Sequence, residues 1–434
     1  MNPYRLLLRL VPSRLKNSVS RKLHEVVLDV SREEAFLVSR DVARAEARWI
    51  MGELARDIPA EENGDTSIPA AGGDISNVKR RFLYGRLLDR MMGPEPWAID
   101  ELEIEGGRVQ IRGWALAPAN NPGRIGFCLN GAPFDEILYP GERHDIGGLF
   151  WFRPTARHSA FSCATRCPPE DPSSPLVFSY VYRDTLAPVC AEHLYYLPWG
   201  DDGLPLPDGP RRHRAHGSDS ATSFRLEGFS AFCKLDHALL RHTGRTYRDF
   251  HSILDWGCGC GRVSRYFVRV PGVRLTGVDI DADNVAWCRG NLRFGAFEAV
   301  DPRPPTRFPD EAFDLVIGVS VFTHLREEDQ LLWLAELHRL SKPGGILLLT
   351  VLGDHGVARG RLTLDEFWEF QERGISEDRR NRDIDGVIAD AGYYRNTFHS
   401  YRYLRDVWGR HFRFRGVIPS YIGNMQDLLI LQRA

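Results

Sequence analysis

The sequence predicts an α/β chain: an open sheet with helices on both faces over residues 216–434, preceded by a β-rich module over 96–197 and a helical segment over 1–95. Three observations carry this. In the second half, apolar runs of strand length near 253–255, 273–281, 313–317 and 346–349 alternate with amphipathic stretches. A glycine-rich turn, Gly257-Cys258-Gly259-Cys260-Gly261, follows the first of those runs and reads as strand, tight turn and helix start. Residues 97–197 have another texture, with short β-type runs separated by Pro, Gly, Asn and Asp.

A chain of 434 residues suggests two or three domains with enough apolar content for real cores. The net charge of −2 gives no bias toward nucleic acid or acidic partners. Eight cysteines without paired spacing favour reduced thiols in a cytoplasmic protein. Cys163 and Cys167 lack a second ligand pair, so no metal site is expected. No apolar run approaches the ~20 residues that span a membrane, and Arg9 interrupts the opening leucines, which makes a poor secretory signal.

Between Arg5 and Lys22 lie six basic residues and no acid, with leucines interleaved. This suits an amphipathic helix lying on an anionic inner membrane face, or a solvated or partner-bound helix. Residues 23–57 carry apolar positions at helical spacing and predict a long helix, a helical hairpin or a homodimer contact. Residues 58–77 read as a linker.

In the β-rich module, Leu102, Ile104, Val109 and Ile111 alternate with polar residues across Gly106-Gly107, a hairpin signal. Further runs at 124–129, 149–152, 160–163 and 176–182 complete the pattern of a β-sandwich. The stretch Ile111-Arg112-Gly113-Trp114-Ala115-Leu116 resembles the opening of immunoglobulin-like accessory modules of bacterial glycan-modifying enzymes. Trp97, Trp114, Trp151 and Tyr182 are either sugar-stacking faces or core. Residues 198–215, with Pro205, Pro207 and Pro210 before Arg211-Arg212-His213-Arg214, read as a second linker.

In the second half, Asp279 ends the second strand a little over twenty residues past Asp255, which suits a ribose-binding carboxylate. Asp279 and Asp281 would otherwise form a turn that caps a helix. The last two apolar runs, near 411–418 and 427–431, are joined by a short connection that makes them antiparallel.

The ordered set Asp255-Trp256-Gly257-Cys258-Gly259, Val278-Asp279-Ile280, Phe313-Asp314-Leu315-Val316 and Lys342-Pro343-Gly344-Gly345 resembles class I S-adenosylmethionine-dependent methyltransferases over 216–434. The resemblance implies a seven-stranded Rossmann-like sheet with a terminal antiparallel hairpin and S-adenosylmethionine as cofactor. It also implies that Asp255 orders the turn and that the backbone of Gly257, Cys258 and Gly259, with Gly261 closing the turn, faces the methionine. By the same resemblance Asp279 binds ribose, Ile280 packs on adenine, and Val319 and Ser320 floor the site near the sulfonium. Asp301 is either the acid for the adenine amino group or a loop residue. The segments 408–412 and 425–428 also resemble a bacterial subgroup associated with surface-polysaccharide genes.

A sulfonium methyl is already activated, so the chemistry needs an aligned nucleophile, dryness and, for a hydroxyl acceptor, a base. His399 is the preferred base, in a segment (Tyr394, Asn396, Phe398) that follows a lid-like insertion at 376–390. His324, His355 and Asp354 are the alternatives. The sequence thus points to O-methylation of a sugar hydroxyl in a surface glycan or glycan-lipid precursor. The rivals are an O- or N-methyltransferase of small molecules in secondary metabolism, and a glycan-binding protein on a degenerate scaffold. Gly318-Val319-Ser320-Val321 is not the Asn/Asp-Pro-Pro-aromatic motif of nucleic-acid amino-methyltransferases, so no nucleic-acid substrate is expected.

Overall fold

A computed structural model describes residues 84–434 apart from 94, 119–120, 169–173, 200–201, 361, 389 and 391. The basic N-terminal stretch, the helix expected over 23–57 and the linker at 58–77 lie outside the described residues. Residues 84–91 are helical and belong to a separate unit; Met92–Ala434 form one compact unit.

The β-rich module holds eight strands: β1 (Trp97–Glu105), β2 (Arg108–Ala115), β3 (Ile125–Leu129), β4 (Ala132–Pro133), β5 (Glu136–Glu142), β6 (His158–Arg166), β7 (Leu176–Tyr182) and β8 (Leu194–Leu197). They form two antiparallel sheets of four, ordered β1-β2-β6-β5 and β4-β3-β7-β8. Gly106 and Gly107 make the β1–β2 turn, pairing Leu102 with Ile111 and Ile104 with Val109. Alternation sends Ile111 and Phe161 of one sheet and Phe127 and Phe178 of the other into a shared core; the Phe127 and Phe161 rings lie 4.4 Å apart. Residues 149–152, expected as a strand, instead end a short helix α1 (His144–Leu149) and enter a turn. Phe150 there packs under Trp114, so its hydrophobicity serves the core without strand pairing. Trp97 and Trp114, at 2% and 4% exposure, are core residues with no face left for a sugar. Trp151 and Tyr182 stay partly exposed.

The second half forms a seven-stranded sheet from β9 (Ser252–Trp256), β10 (Arg274–Asp279), β11 (Ala296–Ala299), β12 (Phe313–Gly318), β13 (Ser341–Val351), β16 (Arg413–Ile422) and β17 (Gln426–Gln432). The order is β11-β10-β9-β12-β13-β17-β16, and β17 runs against both its neighbours. The short connection at 423–425 forces that reversal, as the sequence implies. A two-stranded ribbon, β14 (Ile375–Arg380) and β15 (Arg395–His399), stands apart. Adjacent residues of β9 face opposite cores. Ile253 packs with Phe229 and Leu235 of helix α3 (Ala221–Thr243), and Leu254 with Trp333 and Leu337 of helix α5 (Glu327–Leu340). That two-sided burial is why these strands read as continuous apolar runs. Since β10 lies on one side of β9 and β12 on the other, the carboxyl ends of β9 and β12 flank a topological switch point, where such sheets bind ligands.

Residues 198–215 are not a plain linker. Arg265, buried just after the glycine turn, donates to both oxygens of Asp202 (2.7 and 2.8 Å) and to the carbonyls of Leu204 and Pro205. A helix α2 (Gly209–His216) then starts on Asp208, whose side chain accepts from Arg211 N, with proline in the first turn. The helix expected after the glycine turn is a 3-10 stretch, Ser264–Arg269, in which Ser264, Arg265, Tyr266 and Phe267 are all buried. The module and the sheet also join directly. Tyr195 donates to Glu227 (3.0 Å), Asn424 donates to the Trp97 carbonyl, and the Lys234 ammonium lies 5.5 Å from the centre of the Tyr195 ring.

Candidate active site

A cavity of about 520 Å³ opens at the switch point. Its base is the glycine turn. Gly257 has φ +77°, and a Cβ there would stand 2.2 Å from a Val321 methyl, so only glycine keeps the turn beside the end of β12. The Gly257 and Cys258 amides donate to Val278 O, which ties the turn to β10. Gly261 does not line the cavity; with φ +79° it lets the chain pass Leu292, whose methyl a Cβ would meet at 2.5 Å. Its glycine is therefore a packing requirement.

Asp279 sits where the sequence places it, with Oδ2 accepting from Gly259 N (2.7 Å) and Oδ1 from Asp281 N (2.8 Å). Asp281 meanwhile caps helix α4 (Ala282–Asn291), accepting from Asp283 N and Asn284 N. Asp255 is buried and accepts from the Ser264 hydroxyl. Burial pushes the Asp255 and Asp279 carboxyls up to about 6 each, which leaves both mainly ionised at pH 7. Ile280, Val319 and Ser320 line the cavity with Cys258 and Gly259. Asp301 does not. It is exposed past the end of β11, and Val300 takes the position on the wall.

Ser320 has φ +65°, unusual for a residue with a side chain, at the carboxyl end of β12. A ring of hydrogen bonds holds it. Ser320 N donates to Thr350 Oγ1 (2.7 Å), Thr350 Oγ1 to Gln426 Oε1 (2.6 Å), and Gln426 Nε2 back to Ser320 Oγ (2.9 Å). The ring locks β12, β13 and β17 together at the floor, a place where strain persists only when surroundings over-determine it.

The four candidate bases separate. His399 is 1% exposed and does not line the cavity. Gln330 gives its amide hydrogens to the Phe322 and Leu325 carbonyls, so its Oε1 must accept from His399 Nε2 (2.9 Å). The ring packs on Trp408, and burial pushes its pKa down to about 3. His399 is thus a neutral core residue, and the expectation that it is the base is corrected. Alternation along β15 is the reason: Tyr394 and Asn396 face the cavity, while Thr397 and His399 face the core. His399→Ala is expected to cost about 2–3 kcal/mol of stability by cavity formation and a stranded Gln330 oxygen, with cofactor affinity unchanged. Urea denaturation and calorimetry would check both. His355 and Asp354 are buried at the start of helix α6 (Asp354–Arg359), and neither lines the cavity.

His324 does line it. Its Nδ1 bonds the Arg395 carbonyl (3.0 Å), which fixes the proton on Nδ1 and leaves the lone pair on Nε2. The ring stacks on Tyr394 at 4.2 Å, and burial pushes its pKa down to about 4, so it is neutral at pH 7. The 376–390 segment supplies Asp383 and Ile384 to the wall beside Tyr394 and Asn396.

The sequence reading missed the remaining wall. Arg214 of α2 bonds Asp281 and Asp283 (2.7 Å each) and lines the cavity with His216. The Asp208-Gly209-Pro210 start signal could have revealed that helix. Ala98 and Tyr195 of the β-rich module, Glu227 of α3 and Arg359 of α6 also line the cavity, and no local pattern announces them. Among the described residues no group of three or more His, Cys, Asp and Glu side chains is placed to hold a metal ion, and no helix is long and apolar enough to cross a membrane.

Comparison with known proteins agrees with this geometry. Residues 253–345 match the family model described as a methyltransferase domain. The chain is 30% identical over 178 residues to 2-methyl-6-phytyl-1,4-hydroquinone methyltransferase of Synechocystis sp., covering 40% of this chain and 54% of that protein. It is 33% identical over 110 residues to malonyl-[acyl-carrier protein] O-methyltransferase of Salmonella typhimurium, covering 25% and 41%. The chain thus spans about half the length, or less, of these curated relatives. A Burkholderia thailandensis 1,6-didemethyltoxoflavin-N1-methyltransferase solved with S-adenosylhomocysteine aligns at 17% identity, covering 56% of this chain and 97% of that one, with a TM-score of 0.34. The stretch from β9 into β13 that builds the floor of the cavity is the part of the chain that matches a methyltransferase domain.

Proposed function

We propose that this chain transfers the methyl group of S-adenosylmethionine to a hydroxyl of a polar acceptor, and that the acceptor is a sugar of a surface glycan or glycan-lipid precursor. The observation that carries the transfer is a base of fixed tautomer, His324, lining the same cavity as Asp279, the glycine turn and Ser320. In this reading Asp279 accepts from the ribose hydroxyls, Ile280 and Val300 flank the adenine, and the turn at Gly257–Gly259 lies against the methionine. The oxygen–methyl bond forms as the sulfur–methyl bond breaks, S-adenosylhomocysteine leaves, and the hydroxyl proton passes to His324 Nε2.

His324→Ala should keep S-adenosylhomocysteine affinity within about twofold while turnover falls about a hundredfold or more. Because the imidazole is already deprotonated above about pH 4, wild-type kcat should show no fall attributable to this group between pH 8 and pH 5.5. An alanine variant with normal turnover would return the base role to another residue.

The small-molecule reading draws support from the relatives, which are named for 2-methyl-6-phytyl-1,4-hydroquinone and for malonyl-[acyl-carrier protein]. Sugar analysis of glycan extracts from wild-type and deletion strains separates the two. A methylated sugar missing from the deletion supports the glycan, and unchanged sugars with a lost methylated metabolite support the rival. A cytoplasmic location, with the basic segment at Arg5–Lys22 on the inner membrane face and a homodimer through 23–57, belongs to the glycan reading. Its support is the charge and spacing of those residues.

A further inference from the structure

The cavity holds three arginines, and they differ in what surrounds them. Arg214 is neutralised by Asp281 and Asp283. Arg262, beside the glycine turn, stands in the field of Glu227 and Asp255. Arg359 has neither an ion pair nor a hydrogen bond among the described residues, and the one ionisable group that acts on it is the Tyr195 phenol. Glu227 is engaged by that same phenol, at 3.0 Å.

What holds Arg359 comes from the other sheet system. Its guanidinium carbon lies 5.8 Å from the Trp114 ring and 5.9 Å from the Phe150 ring, both in the β-rich module. Aromatic faces attract and orient a cation but carry no charge to cancel it. An arginine ending a helix often serves the helix carbonyls. This one bonds no carbonyl among the described residues and sits on rings of another part of the chain. An enclosed cation without a counter-charge is costly unless a ligand supplies one, and burial duly lowers its pKa from the usual value.

We propose that the methyl acceptor carries an anionic group, a carboxylate or a phosphate, received by Arg359, and that the β-rich module thereby forms half of the acceptor site. This rests on the methyltransferase reading. Arg359 offers a planar fork of donors matched to either oxyanion. Trp114 and Phe150 fix its orientation from behind, and Tyr195 and Ala98 wall the space beside it. The module's aromatic residues would then act on the acceptor through an arginine, without stacking on it.

The test uses the full chain saturated with S-adenosylhomocysteine, probed by calorimetry and thermal shift with inorganic phosphate, malonate, glucuronate, glucose 6-phosphate and glucose. At least one anion should bind tenfold or more tighter than glucose, with the carboxylate and phosphate arms deciding between the two groups. Arg359→Met should erase that preference while leaving S-adenosylhomocysteine affinity within twofold, and should raise the melting temperature of the ligand-free protein. Should Arg359→Met fail to fold, Arg359→Gln carries the same comparison, with Arg359→Lys retaining part of the preference. The inference is overturned if no anion is preferred over glucose, or if the preference survives loss of the guanidinium. Failure of wild-type protein to bind S-adenosylhomocysteine would instead strike the methyltransferase reading itself.

Discussion

Asp279→Ala is expected to weaken S-adenosylhomocysteine binding by about a hundredfold or more, the largest effect of any single substitution at the cofactor. The carboxylate has two tasks. Within the protein it accepts from Gly259 N and Asp281 N, holding the glycine turn and the first residues beyond β10 in one arrangement. In the proposed function it also supplies the charged acceptor for the ribose hydroxyls. Hydrogen bonds to a charged group contribute about 1.5–3 kcal/mol each, so losing the carboxylate removes ribose contacts and loosens the turn together. Asp279→Asn should fare little better, because its amide cannot accept from both backbone donors and the ribose at once. There is a signature in pH. With the carboxyl pushed up to about 6 by burial, wild-type affinity should weaken as pH falls through 6, and the alanine variant should lose that portion of the dependence. Calorimetry at pH 7.5 and 5.5 on both proteins reads this directly. A variant affinity within threefold of wild type would remove Asp279 from the site.

Asp202→Ala is expected to give the largest loss of stability, about 3–5 kcal/mol, because it strands the guanidinium of Arg265 in the interior. The Arg265 side chain is 0% exposed and that of Asp202 6%. Water therefore cannot take over the lost contacts, and the carbonyls of Leu204 and Pro205 satisfy only part of the guanidinium. Since this pair anchors the chain leading into α2, S-adenosylhomocysteine affinity should fall as well, with Arg214 and His216 less firmly placed. Adding Arg265→Met should recover part of the stability, since an apolar side chain leaves no buried charge. Burial raises the Asp202 carboxyl, but the Arg265 bonds outweigh it and hold the group below its ordinary value. A depressed carboxyl gives stability that is present above its unfolded pKa of about 4 and is lost as pH falls through the folded one. Urea midpoints for the single and double variants would check the whole scheme. A single variant within 1 kcal/mol of wild type would show the junction to be loosely held.

The parts legible in the sequence are those where cause and effect lie close along the chain. Strand, turn and acid from Ser252 to Asp279 could be read directly, since the close approach of Val321 demands glycine at Gly257 and the acid that ends the next strand ties down the turn through Gly259 N. The reversal of β17 followed from a connection too short to cross the sheet. Roles set by facing and distant packing could not be read. Asn396, Thr397 and His399 are polar-edged residues on one short strand that Tyr394 leads into, and the period of two decides which reach the cavity; a one-residue shift would exchange them. The register was set by β14 and by Thr323 and Leu352, which accept from the Thr397 and His399 amides. Composition made 198–215 look like a linker, but Arg265, 63 residues past Asp202, orders it. Asp301 carries the right charge in a chain that has already left the sheet. Arg359 and Tyr195 lie far apart in sequence and meet only because the two sheet systems pack together. The sequence by itself determined the sheet and the glycine-turn end of the cavity, through local backbone chemistry. The tertiary structure alone decided the end walled by Ala98, Tyr195 and Arg359, because burial and charge there come from residues that long-range packing brings into contact.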